Sequence, residues 1–292
     1  MSTKIRIKRF VEVSVFTVLV FGGFGWSRAG VEFPGPEPGV GQGRMDGGRL
    51  VLENDVLSCE WDISEGRLKP DRLIDKLAGA AIDAGQAECF QLVLDGGRIL
   101  RASELKFLGK PQLKNIEPEP KSCRLGERLA GKEILITLGS PDENLEVLWR
   151  AILRDGSNYV RQEIAFTAKN KPIDIKGIVL WELSAKAEVK GIVDGSPVAA
   201  GNMFFSFESP LSKSTSETNG FKCSLPYATR LAPGEQLEYS SVFGVVPEGQ
   251  LRRGFLYYVE RERAHPYRPF LHYNSWYDIG YGPEKIQPEQ FI

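Results

Sequence analysis

The stretch Leu145–Ala168, LEVLWRAILRDGSNYVRQEIAFTA, decides how the rest of the chain is read. Leu145, Val147, Trp149, Ile152 and Leu153 lead into Asp155-Gly156-Ser157, and Tyr159, Val160, Ile164 and Phe166 follow. Two apolar runs flanking a glycine that can take positive φ predict a long β-hairpin. Outward from it, short apolar or alternating runs separated by turn signals recur at RLVLEND (49–55), VLSCEWDI (56–63), ECFQLVLDGG (88–97) and EILITLGS (133–140). Others follow at IKGIVLWELSA (175–185), AEVKGIVDG (187–195), NMFFSFES (202–209) and EYSSVFGVV (238–246). This many strands exceeds one sheet, so two facing sheets are needed to bury both sets of inward side chains, and a β-sandwich is expected over 49–247. A length of 292 residues with 42% apolar residues can bury a substantial core, and Gly 31 and Pro 18 suit many turns.

The flanks read differently. Residues 30–48, GVEFPGPEPGVGQGRMDGG, are rich in Gly and Pro without a hydrophobic period, and predict a flexible lead-in with folding starting after it. Past Pro247, Leu251, Phe255, Tyr258 and Val259 fall at helical spacing. Arg252, Arg253, Glu260, Arg261, Glu262 and Arg263 fill most remaining positions, so an amphipathic helix is expected over 249–264, within a linker spanning 248–265. Pro266 and Pro269 end it, and FLHYNSWYDIGYG (270–282) then reads as a compact aromatic strand. Such a strand either joins the sandwich or begins a further unit, because an isolated strand cannot satisfy its edges.

Residues 1–29 read as an export signal: Lys4, Arg6, Lys8 and Arg9, an apolar stretch Val13–Trp26, and small residues at Ser27-Arg28-Ala29. A membrane anchor is the alternative, but the apolar stretch contains Gly22, Gly23 and Gly25 and falls short of the ~20 residues that cross a bilayer. The expected location is therefore periplasmic or extracellular, with no membrane association after cleavage. Formal net charge is -1, and the basic excess is concentrated in the first thirty residues, so the remainder is mildly acidic. Without clustered Lys and Arg there is no electrostatic basis for nucleic-acid binding. Cys59, Cys89, Cys123 and Cys223 are widely spaced and the histidines are His265 and His272, which argues against a metal site. The four cysteines could pair in any of three connectivities or remain buried free thiols. No cofactor is expected, and composition does not address oligomeric state.

The segment RPFLHYNSWYDI (268–279) resembles the first barrel strand of the α-galactosidase-like glycoside hydrolases related to melibiases, where N-S-W opens a (β/α)8 domain. GSPVAAGNMFFSFESPL (195–211) and GVVPEGQLRRGF (244–255) are similar to the end of the galactose-mutarotase-like β-supersandwich that precedes the barrel in bacterial members. The resemblance implies a mostly β fold, with a supersandwich at 49–247, the linker helix, and the first strand of an incomplete TIM barrel at 266–292. It implies a retaining mechanism on α-linked, galactosyl glycosides, with carbohydrate as the partner. The catalytic aspartates of the family lie on later barrel strands, so no catalytic residue is expected in this chain, which reads as truncated. Trp276 and Asp278, on one side of a strand, are implied to form the subsite for the non-reducing sugar, with Asn274 in support; a sugar offers an apolar face to an aromatic ring and hydroxyls to a carboxylate. Asn202 and Glu208, flanking the Met203–Phe207 run, are weaker candidates for substrate contact. A secreted, non-catalytic carbohydrate-binding β-sandwich is the alternative.

Overall fold

The structure, a computed structural model, describes residues 31–140, 142 and 144–265. Among these the chain is antiparallel β structure with a single α-helix, Leu251–Glu262, as expected of a mostly β protein. The stretches read from the sequence as an export signal, 1–29, and as the first strand of a barrel, 266–292, lie outside the described residues.

The hairpin forms the spine. Strands Leu145–Arg154 and Tyr159–Ala168 pair in register from Leu145↔Ala168 to Ile152↔Arg161, and Gly156 takes φ +69° in the turn, where a Cβ would be strained. Gly131–Gly139 pairs on one side and Gln236–Val245 on the other, with Met203–Phe207 beyond it, at the centre of a nine-stranded sheet, here the large sheet. A five-stranded N-terminal meander and a six-stranded middle sheet lie against its inner face. Period-2 alternation accounts for the inner face: Val147, Trp149 and Ala151 point inward from one hairpin strand, and Val160, Ile164 and Phe166 from the other. Trp149 meets Trp61 of the N-terminal meander edge-on at 5.4 Å, Phe166 meets Phe90 at 5.3 Å, and Phe205 meets Trp181 at 5.2 Å and Phe221 at 4.8 Å. Both smaller sheets therefore share one core with the large sheet. Inside it, Trp149 Nε1–H donates to Gln162 Oε1 at 3.0 Å, which satisfies two polar groups that burial would otherwise penalise.

The structure departs from the sequence reading in two places. The stretch read as a flexible lead-in contains a strand, Gln42–Asp46, paired with Arg49–Glu53. Its entry is held by Gly41 N–H donating to Asp155 Oδ1 at 2.9 Å and Gly156 N–H donating to the Gly39 carbonyl at 2.8 Å. Backbone pairing needs no hydrophobic period, so a mostly polar edge strand left no signal. In AEVKGIVDG only Glu188–Val189 is a strand; Ile192 and Val193 sit exposed in the turn that follows. Alternation alone could not reveal that these two apolar residues have no sheet partner.

The hairpin turn is not a free loop. Ser157 and Asn158 are fully buried, Asn54 Nδ2 donates to the Ser157 carbonyl at 2.7 Å, and Asn158 Nδ2 donates to the Val245 carbonyl at 2.7 Å. From the helix, Tyr257 O–H donates to the Gly156 carbonyl at 2.8 Å and Arg261 Nη2 donates to the Asp155 carbonyl at 2.8 Å. The helix rests on the outer face of the large sheet, where Tyr258 packs with Tyr159, Phe204, Val242 and Val246, and Leu251, Phe255 and Val259 close around them. Gly254 is required at this contact, since a Cβ there would lie 2.3 Å from Val246 Cγ1.

Candidate functional site

The outer face of the large sheet can be followed row by row across the hairpin and the neighbouring Gln236–Val245 strand. One row is Leu148, Ala165 and Glu238; the next is Arg150, Glu163 and Ser240; the next is Ile152, Arg161 and Val242. The helix covers the far rows. The nearer ones floor an open groove of about 620 Å³, whose lining includes Arg124, Leu148, Arg150, Arg161, Glu163, Ala165, Glu208, Gln236, Glu238 and Ser240. A smaller cleft of about 310 Å³ adjoins it, sharing Arg124, Arg161, Glu208 and Ser240 and adding Tyr258 and Glu262 of the helix.

Arg161 is the centre of this site, with its side chain only 10% exposed. Its Nε donates to Glu208 Oε1 at 3.0 Å and its Nη2 to Glu208 Oε2 at 2.7 Å, a two-point guanidinium–carboxylate pairing, and Nη1 donates to Glu163 Oε1 at 2.9 Å. Nη1 also lies 3.4 Å from Glu262 Oε2. Glu208 and Glu262, both mostly buried, are each capped by a tyrosine: Tyr258 O–H donates to Glu208 Oε1, and Tyr159 O–H donates to Glu262 Oε1 at 2.6 Å. The chain of charges continues across the sheet as Arg150 donates to Glu163 at 2.7 Å and to Glu133 at 2.6 Å, and Arg124 donates to Glu262 at 3.3 Å.

Burial pushes the Glu208 carboxyl upward, but the Arg161 guanidinium and the hydrogen bonds from Arg161, Ser240 and Tyr258 outweigh it and leave the group below the usual carboxylate range. Burial acts against the Arg161 charge, and Glu208, Glu262 and Glu163 more than restore it. For the Tyr258 phenol, burial and the Glu208 charge act together and push it well up, so it stays a donor. A carboxylate held ionised and an arginine held charged are poor proton carriers near neutrality. They are fixed hydrogen-bonding groups, suited to binding.

Of the residues singled out from the sequence, Glu208 lines this groove. Asn202 stands at the opposite end of the Met203–Phe207 strand, where its carbonyl accepts from Val246 N–H at 2.9 Å, so the structure does not bring the two together. Asn274, Trp276 and Asp278 lie outside the described residues. Sequence reasoning missed Arg150, Arg161, Glu163 and Glu262. The first three could have been found by writing the hairpin register out, which places Arg150 opposite Glu163 and two charged residues on one outward face. Glu262 could not, since its partners are over a hundred residues away. Among the described residues no group of three or more His, Cys, Asp or Glu is placed to hold a metal ion, and no helix is long and apolar enough to cross a membrane.

No family model and no curated protein matches the chain. Among solved structures it is similar to an α-galactosidase from Lactobacillus brevis at 9% identity, covering 73% of this chain and 42% of that one, with a TM-score of 0.49. It is similar to an α-galactosidase from Geobacillus stearothermophilus at 10% identity, covering 72% of this chain and 41% of that one, with a TM-score of 0.47. A putative aldose 1-epimerase from Klebsiella pneumoniae aligns at 11% identity over 75% of this chain and 85% of that one, with a TM-score of 0.47. The chain spans about two fifths of the length of these α-galactosidases.

Proposed function

We propose that this chain is the β-sandwich portion of an exported, retaining glycoside hydrolase acting on α-linked, galactosyl glycosides, and that the groove on the large sheet binds a neutral, hydroxyl-rich ligand. The observation that carries the reading is the composition of the groove. Arg124, Arg150 and Arg161 are balanced by Glu163, Glu208 and Glu238, over a floor that includes Leu148 and Ala165. Matched donors and acceptors without a charge excess suit sugar hydroxyls better than a phosphate or a free carboxylate, and the volume is in the range of small-ligand sites. The family-like segments support the same reading from the sequence side. The 195–211 segment carries Glu208 into the groove, and it packs on the 244–255 segment through Phe204 and Phe255, whose rings are 5.2 Å apart. The subsite role of Asn274, Trp276 and Asp278 belongs to this proposal, as does the placing of the catalytic aspartates on later barrel strands.

The test is calorimetric titration of the full chain with methyl α-galactoside and melibiose, alongside release of 4-nitrophenol from 4-nitrophenyl α-galactoside. Binding without turnover is expected, weakened by Glu163→Gln. Turnover by this chain, or binding by neither sugar, refutes the reading. The same groove also favours a secreted, non-catalytic carbohydrate-binding β-sandwich. Coding sequence downstream of Ile292 separates the two: alternating strand and helix patterns with two Asp-bearing strand ends support the hydrolase.

A further inference from the structure

We infer that Tyr258 and Glu262 of the helix are positioning residues for the groove: they touch no groove ligand but hold Arg161 and Glu208 in the orientation that presents them to one. The inference rests on the groove being the sugar site proposed above. Neither helix residue is part of the groove lining; both line the adjoining cleft, on the far side of the shared groove residues Arg124, Arg161 and Glu208. Arg161 stands near the start of the Tyr159–Ala168 strand, paired with Ile152 on one side and Val242 on the other, so its backbone is fixed, but its long side chain has several rotamers that the sheet alone does not choose between. The choice is made by carboxylates. Glu208 takes Nε and Nη2 at 3.0 and 2.7 Å, and Glu163 and Glu262 flank Nη1 at 2.9 and 3.4 Å. A guanidinium has five hydrogens, and these contacts leave one on Nη2 to meet a ligand hydroxyl.

Glu208 is in turn set by the helix. Its Oε1 accepts from Tyr258 O–H, and burial leaves the carboxylate little solvent to replace that donor. Glu262 ties the helix to two groove arginines at once, to Arg161 at 3.4 Å and to Arg124 at 3.3 Å, while Tyr159 fixes its other oxygen at 2.6 Å. Groove affinity and helix docking are therefore linked: a ligand that favours this arrangement of Arg161 and Glu208 tightens the helix, and loosening the helix weakens the ligand by the same factor.

The experiment is melibiose titration of the full chain and its Tyr258→Phe variant, with amide hydrogen exchange across Leu251–Glu262. The substitution keeps the ring that meets Tyr159 at 5.0 Å and Phe204 at 5.7 Å and removes only the hydroxyl. Melibiose Kd should rise about tenfold, the size of one charge-assisted hydrogen bond. Saturating melibiose should slow exchange in the helix of the wild-type protein and have a smaller effect in the variant. Glu262→Gln gives a second reading of the same prediction if Tyr258→Phe is too unstable to titrate, since the amide keeps the shape and loses the charge. Glu163→Gln separates the two proposals, because Glu163 lies in the groove itself, where it accepts from Arg150 and Arg161, and not on the helix. Wild-type affinity in Tyr258→Phe, together with weakened binding in Glu163→Gln, overturns the positioning role and leaves the groove standing. A wild-type protein that binds no melibiose overturns both.

Discussion

Replacing Arg161 with methionine removes the cation shared by two buried carboxylates while keeping an unbranched side chain of similar reach. Glu208 and Glu262 are 13% and 9% exposed at their side chains, so water compensates little of either charge where it stands. Breaking a buried pair by deleting one partner costs about 3–5 kcal/mol, because the remaining charge is left without compensation. Tyr258, Tyr159 and Arg124 still contact the two carboxylates, so the lower end, about 3 kcal/mol near pH 7.5, is expected. With a urea dependence of about 3 kcal/mol per molar, the unfolding midpoint should fall by about 1 M. The pH dependence fixes the cause. In the wild-type protein the Glu208 carboxyl sits below its ordinary value of 4.5, so its contribution is present above that value and lost as pH falls through the lowered one. In Arg161→Met, burial acts without its main opponent and the Glu208 pKa rises above the unfolded value. The deficit is then full above the raised pKa and shrinks as protonation removes the buried charge. The difference between the two proteins should narrow as pH falls from the raised pKa through the lowered wild-type one. Urea unfolding followed by tryptophan fluorescence at three pH values measures it, with Arg230→Met as control, since Arg230 and Asp174 form an exposed pair worth about 1 kcal/mol or less. A loss below about 1 kcal/mol, or one constant across the pH range, would refute the buried-charge account.

Gly254→Ala should destabilise helix docking by about 1–3 kcal/mol, because the new Cβ meets Val246 at 2.3 Å inside a packed contact; thermal unfolding against the exposed Arg252→Ala would show it, and equal melting temperatures would contradict the contact. Cys59, Cys89 and Cys223 are buried and Cys123 is exposed, and burial pushes the thiols of the first three up. An aromatic disulfide reagent should therefore titrate Cys123 at once in the native protein and the others only in denaturant; rapid native reaction at all four positions would contradict the core.

Much of the sandwich was legible because its cause is local. The hairpin announces itself through two apolar runs and Asp155-Gly156, and Leu251, Phe255, Tyr258 and Val259 mark the helix by their spacing. Once the register is written, even the Arg150 and Glu163 pair follows from the sequence, since antiparallel partners are fixed by the turn. Residues such as Gln42–Asp46 were not legible, because an edge strand is held by backbone hydrogen bonds that any sequence can offer. Arg261 and Glu262 illustrate the other limit: as a pattern they belong to the polar face of an amphipathic helix, yet one binds the hairpin turn and the other reaches Tyr159 and Arg161. By itself the sequence determined that strands would pair and that a helix would follow them, through periodicities that act over a few residues. Only the tertiary structure decided that Arg161, Glu208 and Glu262 share one charge cluster, because the energy of a charge inside a protein is set by partners that the chain brings together from 47 and 103 residues apart.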